Sequence, residues 1–221
     1  MRREILAMLA TAVAASLSGC GNQTERVRYR LTARVNTPAG VKTGFSVIEV
    51  NWHTPSALTK NILNSQASGS YTVRGEAVSV DLPNLQTLFV LLRSSTSVDW
   101  AAWVLPQIGD GKPVPVPREW HYGPGSRGEM TDNYPSFVRF KDVANPMSVD
   151  EIDPDDLEAS FGPDYALESL TFQRTDDAVT TGIERRLNWI EAMGDHDFNA
   201  DGSFGDRYPP IVLGLVGGFR N

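Results

Sequence analysis

Between residues 26 and 35, every odd position is apolar and every even position is arginine or threonine. This period of two predicts a β-strand with one buried face and one solvated face. After Asn36, the four residues Thr37-Pro38-Ala39-Gly40 have proline and glycine at the second and fourth positions of a type I turn. A second strand over residues 41–52 would complete a hairpin. The sequence therefore favours a fold built on antiparallel sheet.

Later segments carry further strand patterns. Residues 71–73 and 78–82 place their apolar side chains on opposite parities, and the phase changes at Gly75, where a bulge is expected. Residues 88–92 are apolar on both faces, which predicts a central strand. The remaining predicted strands are residues 167–173 and 211–216.

Helix signals are few and short. Thr96 and Asp99 are typical of the start of one helix, which would contain Trp103. A second predicted helix begins at Asp153 and ends at Gly162, since acid is favoured at the start of a helix and glycine at its end.

A third helix is predicted from the capping box that Thr181 and Glu184 form. Its apolar stripe consists of Ile183, Leu187 and Ile190. No βαβ alternation is present in the pattern. The predicted fold class is α+β, mainly antiparallel β-sheet with about three short helices.

The first twenty residues have the layout of a secretory leader. Two arginines precede thirteen uncharged, mostly apolar residues, 5–17. As a helix these would span only about 20 Å, which is shorter than the ~30 Å core of a bilayer. Cys20, the only cysteine of the chain, follows two small residues.

Leu17-Ser18-Gly19-Cys20 resembles the lipobox of bacterial lipoproteins. The resemblance implies that a peptidase cuts before Cys20 and that its sulfur carries a diacylglycerol. Two or three acyl chains hold a protein stably at a membrane. Gly21, where aspartate favours the inner membrane, points by analogy to the outer membrane and a domain facing the periplasm. The inner membrane and the cell surface are the alternative locations.

These features divide the chain into three parts. Residues 1–19 form the signal peptide, residues 20–26 the lipidated anchor and tether, and residues 27–221 a single β-rich α+β domain. Within that domain, residues 106–135 are rich in proline and glycine and have little regular pattern, which predicts a long irregular loop.

The net charge of −7 argues against binding to nucleic acid, which requires a basic face. The charge is uneven, because residues 142–221 hold 17 acidic and 5 basic side chains. Four arginines at 26, 28, 30 and 34 lie close behind the anchor. Attraction to anionic headgroups is one interpretation of them, and the favoured one is a solvated strand face.

The long loop contains the best candidate for a recognition surface. Its residues are Arg118, Trp120, His121, Tyr122 and Arg127. Aromatic side chains mixed with arginine on loops are typical of binding surfaces. The alternative is that the aromatic residues hold the loop against the sheet.

A calcium site is a separate hypothesis. Asp197, Asn199 and Asp201, followed by Gly202, match the first half of an EF-hand loop, and Asp195 and Asp206 are further candidate ligands in another geometry. The twelfth position of such a loop is Tyr208, which has no carboxylate, so a plain surface turn is the alternative. No cofactor other than Ca²⁺ is predicted.

Enzymatic motifs are few. A hydrolase built on His121 with Ser126 or Glu129 is one hypothesis. The sequence has neither a nucleophile elbow nor a phosphate-binding loop. A non-catalytic role is therefore favoured over catalysis.

Three stretches resemble uncharacterised proteins of proteobacteria. They are Val73-Arg74-Gly75-Glu76-Ala77-Val78, Phe140-Lys141-Asp142 with Asn145-Pro146, and Thr181-Gly182-Ile183-Glu184. The resemblance implies a Gram-negative source and no particular activity. The leading functional hypothesis is a membrane-anchored envelope lipoprotein that binds a protein or envelope partner, and the alternatives are an envelope hydrolase and a calcium-binding lipoprotein.

Overall fold

The structure is a computed structural model that describes residues 23–54, 70–104, 127–193 and 208–218. Nine strands lie within these ranges. They are β1 (Gln23–Asn36), β2 (Lys42–Thr54), β3 (Ser70–Arg74), β4 (Val78–Asp81), β5 (Thr87–Val90), β6 (Arg127–Glu129), β7 (Phe137–Phe140), β8 (Val149–Ile152) and β9 (Ala166–Arg174).

The strands form two sheets. One has five strands in the order β3-β2-β1-β9-β6, and the other has four in the order β4-β5-β7-β8. The β1–β9, β6–β9, β4–β5, β5–β7 and β7–β8 pairs are all antiparallel. With the short helices α1 (Trp100–Trp103) and α2 (Glu158–Phe161), they confirm the predicted α+β fold that is mainly antiparallel sheet.

Contacts between residues divide the chain into two compact units. The larger comprises residues 27–50 and 72–221, and the smaller comprises residues 1–26 and 51–71. In the smaller unit, the rings of Trp52 and Tyr71 lie 5.0 Å apart.

The alternation in β1 has the predicted consequence. Its apolar side chains are almost completely buried, and they are Val27, Tyr29, Leu31, Ala33 and Val35. The neighbouring strand β9 places buried Phe172 opposite Leu31. Tyr29 donates a hydrogen bond of 2.8 Å from its hydroxyl to the carbonyl oxygen of Ala101, and burial raises the pKa of this phenol. The inner face of β1 is therefore excluded from solvent, as expected for an amphipathic strand.

Strand β5, an inner strand of the four-stranded sheet, is buried on both faces, which confirms the prediction of a central strand, although it ends at Val90 rather than at residue 92. Leu88 and Phe89 point to opposite faces of β5, and both are buried. One face is covered by a cluster of later residues, which includes Ile183, Leu187, Trp189, Ile190, Met193, Tyr208, Val212 and Leu215. Burial on both faces explains why β5 has no polar alternation.

The two sheets approach closely where β2 meets β4. A Cβ atom added to Gly44 would lie 2.1 Å from the carbonyl oxygen of Ser79. Only glycine leaves room for the backbones at this distance. Gly44 therefore permits the close contact of β2 with β4.

Gly75 does not form the bulge that the change of parity predicts. It has φ of +131° and connects β3 of the five-stranded sheet to β4 of the four-stranded sheet. The apolar parity changes because the chain leaves one sheet for the other. A bulge and a change of sheet produce the same shift in the polar–apolar pattern, so the sequence does not distinguish between them.

The first two predicted helices are present but are only one turn long. Asp99 precedes α1 without a side-chain capping bond. The second helix, α2, begins at Glu158 rather than Asp153, and the Asp156 carboxylate accepts a hydrogen bond of 3.1 Å from the Ala159 N–H. Gly162, with φ of +104°, ends it as predicted.

The third predicted helix is wrong in type. Two 3₁₀ turns, Ile183–Arg185 and Glu191–Met193, replace the α-helix. The predicted apolar stripe is nevertheless buried. Thr181 makes no capping box, because the first N–H of the turn donates 2.9 Å to the carboxylate of Glu76 instead.

The predicted strand over residues 211–216 is also wrong. Residues Pro210–Leu215 form a 3₁₀ helix, and further 3₁₀ turns lie at Pro83–Leu85 and Pro146–Ser148. Two consecutive prolines, Pro209 and Pro210, lack the N–H groups that a strand ladder requires. The segment still reaches the sheets, because the Leu215 carbonyl accepts 2.8 Å from the Ala77 N–H.

Candidate binding surface

Most residues that the sequence analysis selected lie outside the described ranges. These are Cys20, Arg118, Trp120, His121, Tyr122 and Ser126, and the calcium candidates Asp195, Asp197, Asn199, Asp201 and Asp206. Arg127 and Glu129 are exposed residues of β6. In the described part of the chain, no group of three histidine, cysteine or acidic side chains is arranged to hold a metal ion.

The arginines of β1 form ion pairs along the outer face of the five-stranded sheet. Arg28 Nε lies 2.7 Å from a carboxylate oxygen of Glu49. Arg30 and Arg34 make equivalent contacts of 2.6 and 3.1 Å with Asp177 and Glu168. These pairs neutralise the positive charge that attraction to anionic headgroups would need. They favour the interpretation of a solvated strand face.

Glu49 is the exception on that face, because its side chain is only 2% exposed. The segment 175–180, which follows β9, crosses outside β1 and β2. Arg28 donates to the carbonyl oxygen of Asp177 at 3.3 Å, and Thr180 Oγ1 accepts 2.8 Å from the Val47 N–H. The crossing segment buries this carboxylate beside Arg28. The sequence carried no signal for this crossing.

Large hydrophobic side chains are exposed at seven positions in the described ranges. They are Val41, Phe45, Leu85, Val98, Trp103, Val143 and Met147. Scattered exposed apolar residues are normal, whereas a group of them marks an interaction site. The positions of these seven residues in the fold therefore determine whether they indicate an interaction site.

Three connections emerge at the same end of the larger unit. In the antiparallel β5–β7 pair, Phe89 is opposite Val138, so the β4–β5 turn and the β7–β8 connection lie at one end. Added Cβ atoms on Gly44 and Gly75 would meet Ser79 and Val47. Residue 44 is therefore beside residue 79, and residue 47 is beside residue 75, so the start of β2 lies beside the end of β4. The β1–β2 turn, residues 37–40, is thus at that end as well.

These three connections carry four of the seven exposed hydrophobic side chains. Val41 follows the β1–β2 turn, Leu85 lies in the β4–β5 turn, and Val143 and Met147 lie in the β7–β8 connection. Phe45 lies in β2, five residues after the β1–β2 turn. We call these five residues the apolar end.

Leu85 is the most unusual residue of the apolar end. It is fully exposed, and its φ is +59°, next to Asn84 with φ of +61°. Two left-handed central residues are typical of a type I′ turn, which prefers asparagine and glycine. A leucine in this conformation is destabilised by about 1–2 kcal/mol. Pro83 and Asn84 are turn-forming residues between two apolar runs, and they are the signal in the sequence for this hairpin.

Ion pairs lie beside two of these connections. Arg186 contacts both carboxylate oxygens of Asp81 at 2.5 and 2.8 Å, and these bonds lower the pKa of Asp81. Lys141 Nζ lies 3.0 Å from Asp150. The guanidinium of Arg30 lies over the Phe45 ring, 4.5 Å from its centre. Charged side chains therefore lie beside the exposed apolar ones, as they do at the rim of a protein interface.

Comparisons with known proteins identify no family. No family model, no curated protein and no solved structure matches the chain. Among the described residues, no helix has the length and hydrophobicity to cross a membrane.

Proposed function

We propose that the chain is a lipid-anchored envelope lipoprotein whose β-rich domain is a non-catalytic binding module for a protein partner. The observation that carries this proposal is the apolar end, because four of its five exposed hydrophobic side chains lie on three connections at the same end of the larger unit. Exposed hydrophobic residues on neighbouring connections are typical of protein–protein interaction sites.

The direction of β1 supports a tethered arrangement. Val27 begins the part of β1 that belongs to the larger unit, and the β1–β2 turn lies at its other end. The nine residue steps from Val27 to Asn36 place the start of this part of β1 about 30 Å from the β1–β2 turn. When Cys20 carries acyl chains, the membrane anchor precedes Val27 in the sequence. The apolar end is then at the end of β1 that is farther from the anchor along the chain.

The proposal includes a location in the outer membrane with the domain in the periplasm, as Gly21 suggests by analogy. Arg118, Trp120, His121, Tyr122 and Arg127 remain a second predicted recognition surface. The hydrolase and calcium hypotheses remain predictions that no described contact favours.

Photo-crosslinking in living cells tests the binding role. A photoreactive amino acid is placed at Met147 in the apolar end, and at exposed Ser95 as the matched control. Ser95 follows β5 at the opposite end of the four-stranded sheet. We expect discrete crosslinked protein bands from position 147 and none from position 95.

Equal crosslinking at the two positions, or none at position 147, would contradict the proposal. A band is informative only after its protein is identified and shown to bind the purified lipoprotein. Failure of the identified protein to bind would also count against it.

A further inference from the structure

We propose that the smaller unit carries an interaction surface of its own, which lies directly on the phospholipid headgroups of the membrane that holds the anchor. Its contacting residues are Thr24 and Arg26 of β1 and His53 of β2. The inference rests on the proposed function and deepens it, because it assigns the surface that faces the membrane once Cys20 carries acyl chains. The ligand is the phosphate of an anionic phospholipid.

The first observation is the short length of chain between the anchor and the sheet. Strand β1 begins at Gln23, three residues after Cys20. Three residues span at most ~11 Å, even when they are fully extended. The acyl chains on Cys20 lie in the hydrocarbon core, and the polar headgroup layer outside that core is roughly 5–8 Å thick. The start of β1 therefore lies in this layer or directly on it.

Two side-chain contacts place the end of β2 beside the start of β1. Thr24 Oγ1 lies 3.1 Å from His53 Nδ1, and Arg26 Nε donates a hydrogen bond of 3.2 Å to Asn51 Oδ1. Alternate residues of a strand share a face, so these four side chains lie on one face of the β1–β2 pair. Thr24, Arg26 and His53 are exposed. The surface nearest the anchor is therefore polar and contains an arginine.

The opposite face of the same strands is packed within the chain. Trp52 is only 3% exposed, and the centre of its ring is 5.0 Å from that of Tyr71 in β3. Because this aromatic contact covers that face, Trp52 is not a side chain that enters the bilayer. The proposed contact with the membrane is therefore made by polar side chains at the headgroups.

The distribution of charge favours an anionic surface beside this unit. Residues 20–26 and 51–71 contain one acidic residue, Glu25, and two basic residues, Arg26 and Lys60. Residues 27–50 and 72–221 contain 25 acidic and 16 basic residues. An anionic bilayer repels acidic side chains and attracts basic ones within a Debye length of its surface. The part of the chain next to the anchor thus has the composition that suits such a bilayer.

Arg26 accounts for the choice of phosphate. A guanidinium binds phosphate through two parallel N–H···O hydrogen bonds, which neither a hydroxyl nor an amide provides. The hydrogen bond to Asn51 fixes this guanidinium on the exposed face. The hydroxyl of Thr24 and the imidazole of His53 add hydrogen-bonding groups beside it. Together they match the phosphate and the glycerol hydroxyls of phosphatidylglycerol.

Fluorescence quenching in vesicles tests the position of this surface. The full lipidated chain is reconstituted in phosphatidylethanolamine and phosphatidylglycerol with some lipid that carries a nitroxide on its headgroup. Because lipidation blocks Cys20, a bimane fluorophore is attached to one introduced cysteine. Ser70→Cys lies in the smaller unit, and Ala39→Cys, beyond the other end of β1, is the matched control. We expect the nitroxide to quench bimane at position 70 and not at position 39.

A longer tether distinguishes a surface that binds headgroups from one that is only held close to them. Ten Gly-Ser residues inserted after Gly21 add ~17 Å of reach. We expect quenching at position 70 to persist with this tether in vesicles that contain phosphatidylglycerol and to be lost in phosphatidylcholine alone. In the same long-tether chain, Arg26→Gln should lower the ratio of membrane-bound to released molecules ~5-fold. Arg127→Gln, at an exposed arginine of β6, is the matched control and should not change that ratio.

Other results overturn the inference. If position 70 is not quenched with the natural tether, or if positions 70 and 39 are quenched equally, the smaller unit is not the part that faces the membrane. If the long tether abolishes quenching in every vesicle, or if Arg26→Gln and Arg127→Gln have equal effects, this surface does not bind headgroups. If quenching at position 70 decreases as the protein-to-lipid ratio rises, a second copy of the chain covers the surface instead.

Mass spectrometry of the reconstituted chain separates these outcomes from a failure of the proposed function. An unmodified Cys20 would remove the anchor and with it the proposed function. A diacylglycerol on Cys20 without quenching at position 70 would overturn only the headgroup surface. A partner at the apolar end is independent of both results.

Discussion

The buried carboxylate of Glu49 shows how much one charged residue determines locally. It lies beneath the segment 175–180 and is paired with Arg28 at 2.7 Å, while Arg74 approaches it at 3.7 Å. A buried carboxylate without a cation beside it is strongly destabilising. Arg28 therefore supports both Glu49 and the crossing segment, to which it also donates hydrogen bonds.

Arg28→Met is expected to lower the free energy of unfolding by ~2 kcal/mol, because it removes the nearer of the two arginines that contact the buried carboxylate of Glu49. Arg28→Met with Glu49→Met should recover most of the loss. Arg34→Met is the control, since its pair with Glu168 is exposed and contributes less than ~1 kcal/mol. Denaturant titration measures all three, and equal effects of Arg28→Met and Arg34→Met would contradict this role.

Glu76 provides a prediction for pH. Burial raises the pKa of Glu76 above its ordinary value of 4.5, and Glu184 adds to the rise. A carboxyl whose pKa is higher in the folded state makes the protein less stable as pH rises through the window above 4.5. Its oxygen still accepts a hydrogen bond from the Ile183 N–H.

Glu76→Gln keeps an acceptor and removes the charge. We expect the stability of Glu76→Gln relative to the wild type to increase as pH rises from ~4 to ~7, because only the wild type has a carboxyl at position 76 that ionises in that range. Glu76→Ala, which removes both the charge and the acceptor, should be ~1–2 kcal/mol less stable than Glu76→Gln at every pH. Thermal melts across the pH range measure this difference, and a constant offset between Glu76→Gln and the wild type would disprove it.

At the scale of elements, the patterns of β1, β5 and β9 were predicted correctly, whereas the third helix and the last strand were assigned the wrong type. β1 follows from five consecutive alternations, which leave one choice of buried face. The segment 211–216 is only six residues long, and such a short apolar run fits a strand and a 3₁₀ helix equally well. The third helix failed for a related reason, since its stripe is buried in two 3₁₀ turns as readily as in an α-helix.

The contact of β2 with β4 gives the element-scale prediction. Gly44→Ala places a methyl group against the Ser79 carbonyl, where an added Cβ lies at 2.1 Å. We expect a loss of ~2–3 kcal/mol in the free energy of unfolding, since the backbone must shift. Thr43→Ala, at the neighbouring exposed position, is the control and should change little, and a tolerated Gly44→Ala would mean that the two strands are farther apart.

At the scale of the whole molecule, the candidate surface could not be predicted from the sequence. Val41, Leu85 and Met147 are far apart along the chain, and only the order of strands in the two sheets brings their connections to one end. The sequence also does not show which hydrophobic side chains are exposed, because the same residue types fill the core. The tether, by contrast, is a local motif that the sequence predicts directly.

The lipid anchor is tested by fractionation. Cys20→Ala removes the sulfur that would carry the acyl chains, so we expect the protein to move from the membrane fraction to the soluble fraction. Mass spectrometry of the wild-type amino-terminal peptide should show a diacylglycerol on Cys20. An unmodified thiol, or a Cys20→Ala protein that still sediments with membranes, would refute the anchor.

Protection of the apolar end in living cells tests the account most directly. Cys20 is the only cysteine, and its sulfur is blocked when lipidated, so an introduced cysteine is the single reactive thiol. Maleimide labelling of Met147→Cys is compared between permeabilised cells and the purified protein, with Ser95→Cys as the control. We expect slower labelling in cells at position 147 alone, because a partner covers it. Equal labelling rates at position 147 in cells and in the purified protein would show that nothing is bound there.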